Sequence, residues 1–123
     1  MNKTLNALIV DDSASIRMVL DITLRDAGIN VVEATNGEEA FAYASKQQFD
    51  FIITDIEMPK LNGLELIKKL RALENCKYLP ILTLTNLNSD RIKNELKLIG
   101  ATGWLQKPFG PATLLKTIER LAA

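Results

Sequence analysis

Residues 7–12 read Ala7-Leu8-Ile9-Val10-Asp11-Asp12: four apolar side chains run directly into two carboxylates. The same change of character recurs where Phe51-Ile52-Ile53-Thr54 meets Asp55, where Ile81-Leu82-Thr83-Leu84 meets Thr85, and where Gly103-Trp104-Leu105-Gln106 meets Lys107. A short, nearly continuous apolar run is how a strand buried on both faces of a parallel sheet reads. In such a sheet the carboxyl ends of the strands share one edge, which is where open α/β sheets bind ligands. The polar residues that close these runs are therefore read as one site.

A fifth run, Val31 to Ala34, completes the set of strands, and segments with helical spacing lie between them. Ile16, Val19, Leu20, Thr23, Leu24 and Ala27 mark one helix face, and Gly28 stops that helix. Asn36 can cap a second helix while Glu39 reaches back as in a capping box, with Ala40, Phe41 and Ala44 inward. A third follows Asn62-Gly63 and turns Leu64, Ile67 and Leu70 inward. The fourth is capped by Ser89, buries Ile92, Leu96 and Ile99, and ends at Gly100. The last starts near Pro111 and buries Leu114, Leu115, Ile118 and Leu121. Strict β-α alternation implies right-handed crossovers and helices on both faces, an α/β fold of the doubly wound (βα)5 kind. The residues leave strand order open, although the flavodoxin-like order 2-1-3-4-5 is the common one for five strands.

The 123 residues suit one domain, taken as 1–123, with no repeats or linkers. Fifteen basic and fifteen acidic residues leave no net field to hold nucleic acid or an anionic membrane. No run approaches the 18 apolar residues of a membrane span, and a lone cysteine, Cys76, excludes an internal disulfide, so a soluble protein of a reducing cytoplasm is expected. The chain has no histidine, which excludes a Ser-His-Asp triad, a histidine-ligated zinc and a phosphohistidine carrier, and leaves Cys76 without an activating base.

With the 2-1-3-4-5 order, Asp11 and Asp12 converge with Asp55. Three carboxylates so close cannot all stay ionised unaided; either a pKa rises or a hard cation such as Mg²⁺ is bound. Asp55, part-sunk among apolar groups, can act as an oxygen nucleophile, and Lys107 can meet a carboxylate or phosphoryl oxygen as a point charge.

These residues resemble a known family, the receiver domains of two-component response regulators, and most of all the single-domain chemotaxis type. The resemblance rests on Val10-Asp11-Asp12-Ser13 with Arg17 behind it, on Thr54-Asp55-Ile56-Glu57-Met58-Pro59 leading to Asn62-Gly63, on Thr85, on Gly100-Ala101 and on Lys107-Pro108-Phe109. It implies that Asp55 accepts a phosphoryl group from the phosphohistidine of a sensor histidine kinase. Mg²⁺ would be held by Asp11, Asp12, Asp55 and the backbone carbonyl of Glu57. Thr85 and Lys107 would bind phosphoryl oxygens, across a cis Lys107-Pro108 peptide. Thr85 would move on phosphorylation, coupled to Trp104, which stands where the family has tyrosine or phenylalanine. The output surface implied is the helix-four, strand-five, helix-five face of a cytoplasmic bacterial monomer, meeting a flagellar motor switch protein or a phosphatase.

Further differences from the family pattern bear on the site. Asn86 replaces a small residue and would narrow access for small phosphodonors. Glu57 and Leu87 occupy the two variable positions that, the resemblance implies, tune how fast the acyl phosphate hydrolyses. Glu33, Glu38 and Glu39 are read as exposed or capping groups rather than further ligands. The residues also leave open a phosphate-sink receiver without a motor target, and a Mg²⁺-dependent aspartyl-phosphate phosphatase, which Asp55-Ile56-Glu57 faintly echoes.

Overall fold

The computed structural model describes residues 4–58, 61–86 and 90–121. Strands β1 (Asn6–Val10), β2 (Asn30–Ala34), β3 (Phe51–Asp55), β4 (Ile81–Thr85) and β5 (Gly103–Gln106) alternate with helices α1 (Ala14–Asp26), α2 (Gly37–Lys46), α3 (Gly63–Arg71), α4 (Asp90–Ile99) and α5 (Pro111–Leu121). A single 3₁₀ turn, Glu74–Cys76, precedes β4. The strands form one parallel sheet in the order β2-β1-β3-β4-β5, the flavodoxin-like arrangement.

Alternation along each strand divides the core in two. Leu8, Val10, Ile52 and Ile81 point to the face covered by α2, α3 and α4, where Ala40, Ala44, Leu66, Ile67, Leu70 and Leu96 meet them. Ala7, Ile9, Phe51, Ile53, Leu82 and Leu84 point to the face covered by α1 and α5, against Leu20, Leu24, Leu114 and Ile118. Burying each such leucine or isoleucine is worth about 1.5–3 kcal/mol, which is why these runs dictate the sheet.

The inward faces of the helices are narrower than their apolar residues suggest. Val19 is 44% exposed because it lies about 100° round the helix from Leu20, and Ala27 is exposed because it is the cap beyond the last turn of α1. Leu64, Phe41 and Leu115 are likewise only partly buried, and Leu66 takes the inward place on α3. Asn36 does cap α2, accepting from the Glu39 N–H at 2.9 Å, but the Glu39 carboxylate reaches the Thr35 N–H at 3.1 Å instead of the cap residue itself. Ser89, the expected cap of α4, lies outside the described residues, as do Leu87 and Pro59.

At the amino edge of the sheet Arg71 ties several chain ends together. Its guanidinium donates to the carbonyls of Gly100 (2.7 Å), Cys76 (2.8 Å) and Leu79 (2.7 Å). Gly100, at φ +95°, closes α4 in a left-handed conformation and presents that carbonyl. The anchoring leaves the opposite edge to the polar strand ends.

Candidate functional site

Register sets the site. Val10 stands beside Thr54, Asp55 beside Leu84, and Thr85 beside Gln106. Asp11, Asp55, Thr85 and Lys107 thus leave the sheet within two residues of one level, on adjacent strands. β1 and β3 are neighbours only because the sheet reverses direction there, the switch point at which ligand clefts form.

Asp11 is wholly buried and every polar group on it is engaged. Its N–H donates to the Ala34 carbonyl at 3.2 Å, and its carbonyl accepts from Arg17 Nη1 at 2.7 Å. Its Oδ1 accepts from the Ser13 N–H at 2.9 Å and its Oδ2 from Lys107 Nζ at 3.0 Å. The Ser13 contact turns the chain out of β1, and the Ser13 hydroxyl then caps α1 by accepting from the Ile16 N–H at 3.4 Å. Asp12, one residue on, is exposed.

Asp55, the last residue of β3, is 6% exposed and lies 3.4 Å from the same Lys107 Nζ. Burial raises its pKa above the ordinary carboxylate value, and the Asp11 charge pushes the same way. Lys107 and the Glu57 backbone N–H oppose that rise without cancelling it. Lys107 shows the converse: burial works against its charge, but its hydrogen bonds to Asp11 and Asp55 and their charges outweigh burial and lift its pKa. One ammonium thus bridges two carboxylates at the carboxyl edge of the sheet. The Lys107–Pro108 peptide is cis.

Asp11, Asp12 and Asp55 each offer a carboxylate oxygen, all within 4.8 Å of one another. Three hard oxygen donors, two buried and one open to water, suit Mg²⁺, which takes one or two carboxylates and keeps several waters. Thr85 is buried at the end of β4. Glu57 and Asn86 are exposed, and Asn86 lines an open groove with Ser13, Ile16, Val19, Pro108 and Phe109 beside Lys107. Trp104 is half-buried on the α4 side of β5, opposite Thr83, with Lys97 Nζ 5.8 Å from its ring centroid. It stands on the same sheet face as Thr85 but does not pair with it. Cys76 is buried, and burial pushes its thiol up, away from nucleophilic character.

Glu33 is exposed, as expected, and stands outside the carboxylate cluster, but it also has a partner. Its carboxylate lies 3.3 Å from Arg17 Nε. Nothing local marks the pair, because Glu33 sits on β2 and Arg17 on α1; the pairing of Ile9 with Glu33 across the sheet brings them together.

The model of the response regulator receiver domain matches residues 7–119. The chain is 37% identical to the chemotaxis protein CheY-3 of Vibrio cholerae, over 98% of this chain and 94% of that one. Chemotaxis response regulator CheY4 of Vibrio cholerae superposes with a TM-score of 0.94 at 49% identity, covering 97% and 99% of the two chains. The receiver domain of sensor histidine kinase PA1611 of Pseudomonas aeruginosa, whose crystal structure has a magnesium ion coordinated in the active-site cleft, superposes at 0.88 with 30% identity over 98% of each chain. On the motif, the fold and these full-length similarities together, the chain belongs to the response regulator receiver domain family.

Proposed function

We propose that this protein is a phospho-accepting switch of a two-component relay, with Asp55 as acceptor and a sensor histidine kinase as donor. The observation that carries this reading is a buried carboxylate, Asp55, sharing one lysine with a second buried carboxylate, Asp11, beside a third, Asp12, that is exposed. In the transfer an Asp55 carboxylate oxygen forms the bond to phosphorus as the phosphorus–nitrogen bond to the donor imidazole breaks, and the histidine leaves with that electron pair. Ionised Asp55 is the nucleophile, and Lys107, followed by the Glu57 N–H, favours that form against the burial and the Asp11 charge that raise its pKa.

Asp11, Asp12, Asp55 and the Glu57 carbonyl would hold Mg²⁺, which supplies positive charge for the phosphoryl oxygens when bound. Lys107, already between Asp11 and Asp55, is placed to exchange a carboxylate for a phosphoryl oxygen. Thr85 ends the strand next to Asp55, and its hydroxyl would turn toward the new group. A shift of Thr85 changes the packing on the α4 face of the sheet, where Trp104 lies, and so biases the α4–β5–α5 surface between two states. Asn86, on the rim, would disfavour small phosphodonors. Similarity to chemotaxis regulators along their full length favours output by binding, to a flagellar motor switch protein, over service as a phosphate sink.

The test follows Trp104 fluorescence on addition of Mg²⁺ and then beryllofluoride, a phosphoryl mimic, alongside phosphotransfer from a phosphorylated histidine kinase. A saturable, Mg²⁺-dependent change and labelling, both lost in Asp55→Asn, are expected. Labelling that persists in Asp55→Asn, or a protein inert to kinase and mimic alike, would overturn the assignment.

A further inference from the structure

We propose that Arg17 is a positioning residue of the metal site, acting through the Asp11–Asp12 peptide; this rests on reading Asp11, Asp12 and Asp55 as the Mg²⁺ cluster. Among the described residues no side chain holds the Asp12 carboxylate in a hydrogen bond or ion pair, although it is one of the three clustered donors. Where that carboxylate stands is set by the backbone leading to it. The peptide plane joining Asp11 to Asp12 carries the Asp11 carbonyl, and Arg17 Nη1 holds that oxygen at 2.7 Å. The same guanidinium is braced from behind, its Nε 3.3 Å from the Glu33 carboxylate. The Arg17 side chain is only 16% exposed, so solvent does not easily replace it.

The geometry couples three elements. Arg17 reaches from α1, Glu33 from β2, and the carbonyl it grips lies just past β1. On the other side of Asp11 the N–H to Ala34 fixes the preceding peptide. Arg17 thus fixes the peptide that follows, and with it the direction in which Asp12 departs. The planar fork is essential: it can meet a carbonyl with one nitrogen and a carboxylate with another at once, which a lysine point charge cannot. Groups of this kind, which orient ligands without touching the metal, typically change metal affinity by about 10–100-fold when removed.

Charge and positioning make opposite predictions. A cation near a divalent metal repels it, so loss of Arg17 by charge alone would tighten Mg²⁺ binding. Loss of positioning weakens it. A merely structural role would lower thermal stability and leave the affinity where it was.

The experiment is calorimetric titration of the whole chain with MgCl₂, with thermal unfolding recorded in parallel, for the native protein, Arg17→Met, Arg17→Lys and Glu33→Gln. Expected are a Mg²⁺ Kd raised about tenfold in Arg17→Met, by a smaller factor in Arg17→Lys despite its retained charge, and least in Glu33→Gln, which keeps a hydrogen-bond acceptor. A native-like or lower Kd in Arg17→Met overturns the proposal. Should Arg17→Met fail to fold, Arg17→Lys decides: an unchanged Kd there overturns it equally. A native protein that binds no Mg²⁺ brings down the cluster reading itself, a result separable from an intact site indifferent to Arg17.

Discussion

Asp55 is a residue whose proposed chemistry runs against the stability of the fold. Its folded pKa lies above the unfolded value of 3.8, through burial first and the Asp11 charge second. The native state therefore binds more protons than the unfolded state between those two values, and stability falls as pH rises through that window. Asp55→Asn removes this liability. It is expected to stabilise the metal-free protein at pH 7 by about 1 kcal/mol, within the roughly 0.5–2 kcal/mol common for single stabilising substitutions. The gain should shrink as pH falls below the folded pKa of Asp55, where the native side chain is itself neutral. Urea unfolding at pH 7 and at a series of progressively lower pH values checks both the size and the sign. A gain that grows on acidification would mean the carboxylate is stabilised by Lys107 more than it is penalised by burial.

At the scale of elements, the site depends on how closely α3 approaches the end of β3. Gly63 opens α3 behind the Asn62 cap, whose Oδ1 accepts from the Glu65 N–H at 3.0 Å, and the Gly63 N–H donates to the Ile56 carbonyl at 2.9 Å. A Cβ at residue 63 would run into the Asp55 carbonyl oxygen and the Ile56 Cα, both backbone atoms that cannot swing aside. The glycine is needed for closeness rather than for an unusual dihedral. Gly63→Ala is expected to cost about 1–3 kcal/mol, the usual price of overpacking, and to displace Asp55 from Lys107. Denaturant unfolding measures the first effect and weakened Mg²⁺ binding the second. Loss of stability with Mg²⁺ affinity unchanged would show that α3 yields instead of β3.

For the whole molecule, a ligand that binds only the folded chain stabilises it by mass action. At Mg²⁺ a hundredfold above its Kd the gain is about 2.7 kcal/mol, roughly a 10 °C rise in Tm for a domain of this size. Asp12→Asn should remove most of that rise while leaving the metal-free Tm nearly unchanged, because Asp12 is exposed. An equal rise in Asp12→Asn would place the stabilising ion elsewhere.

Five strands and five helices were legible because short apolar runs and helical spacing are local patterns, and each run of residues 7–10, 31–34, 51–54, 81–84 and 103–106 lies within an observed strand. The residues that close them stood out for the same reason: a carboxylate or lysine directly after an apolar run is conspicuous in one dimension. Less legible were the limits of each inward face, as Val19 and Leu66 show, since those depend on where a helix settles on a twisted sheet. The cap exchange at Glu39 and the pairing of Arg17 with Glu33 escaped because side-chain partners are chosen by three-dimensional proximity.

The sequence by itself therefore determined the elements, their order along the chain and the candidate chemical groups, since these follow from local hydrophobic periodicity and residue chemistry. Only the tertiary structure decided that Asp11 and Asp55 share one lysine, that burial raises the Asp55 pKa, and that Arg17 holds the peptide ahead of Asp12. Strand order and register, contacts between residues far apart in the chain, create those distances, and electrostatics acts on distance and burial.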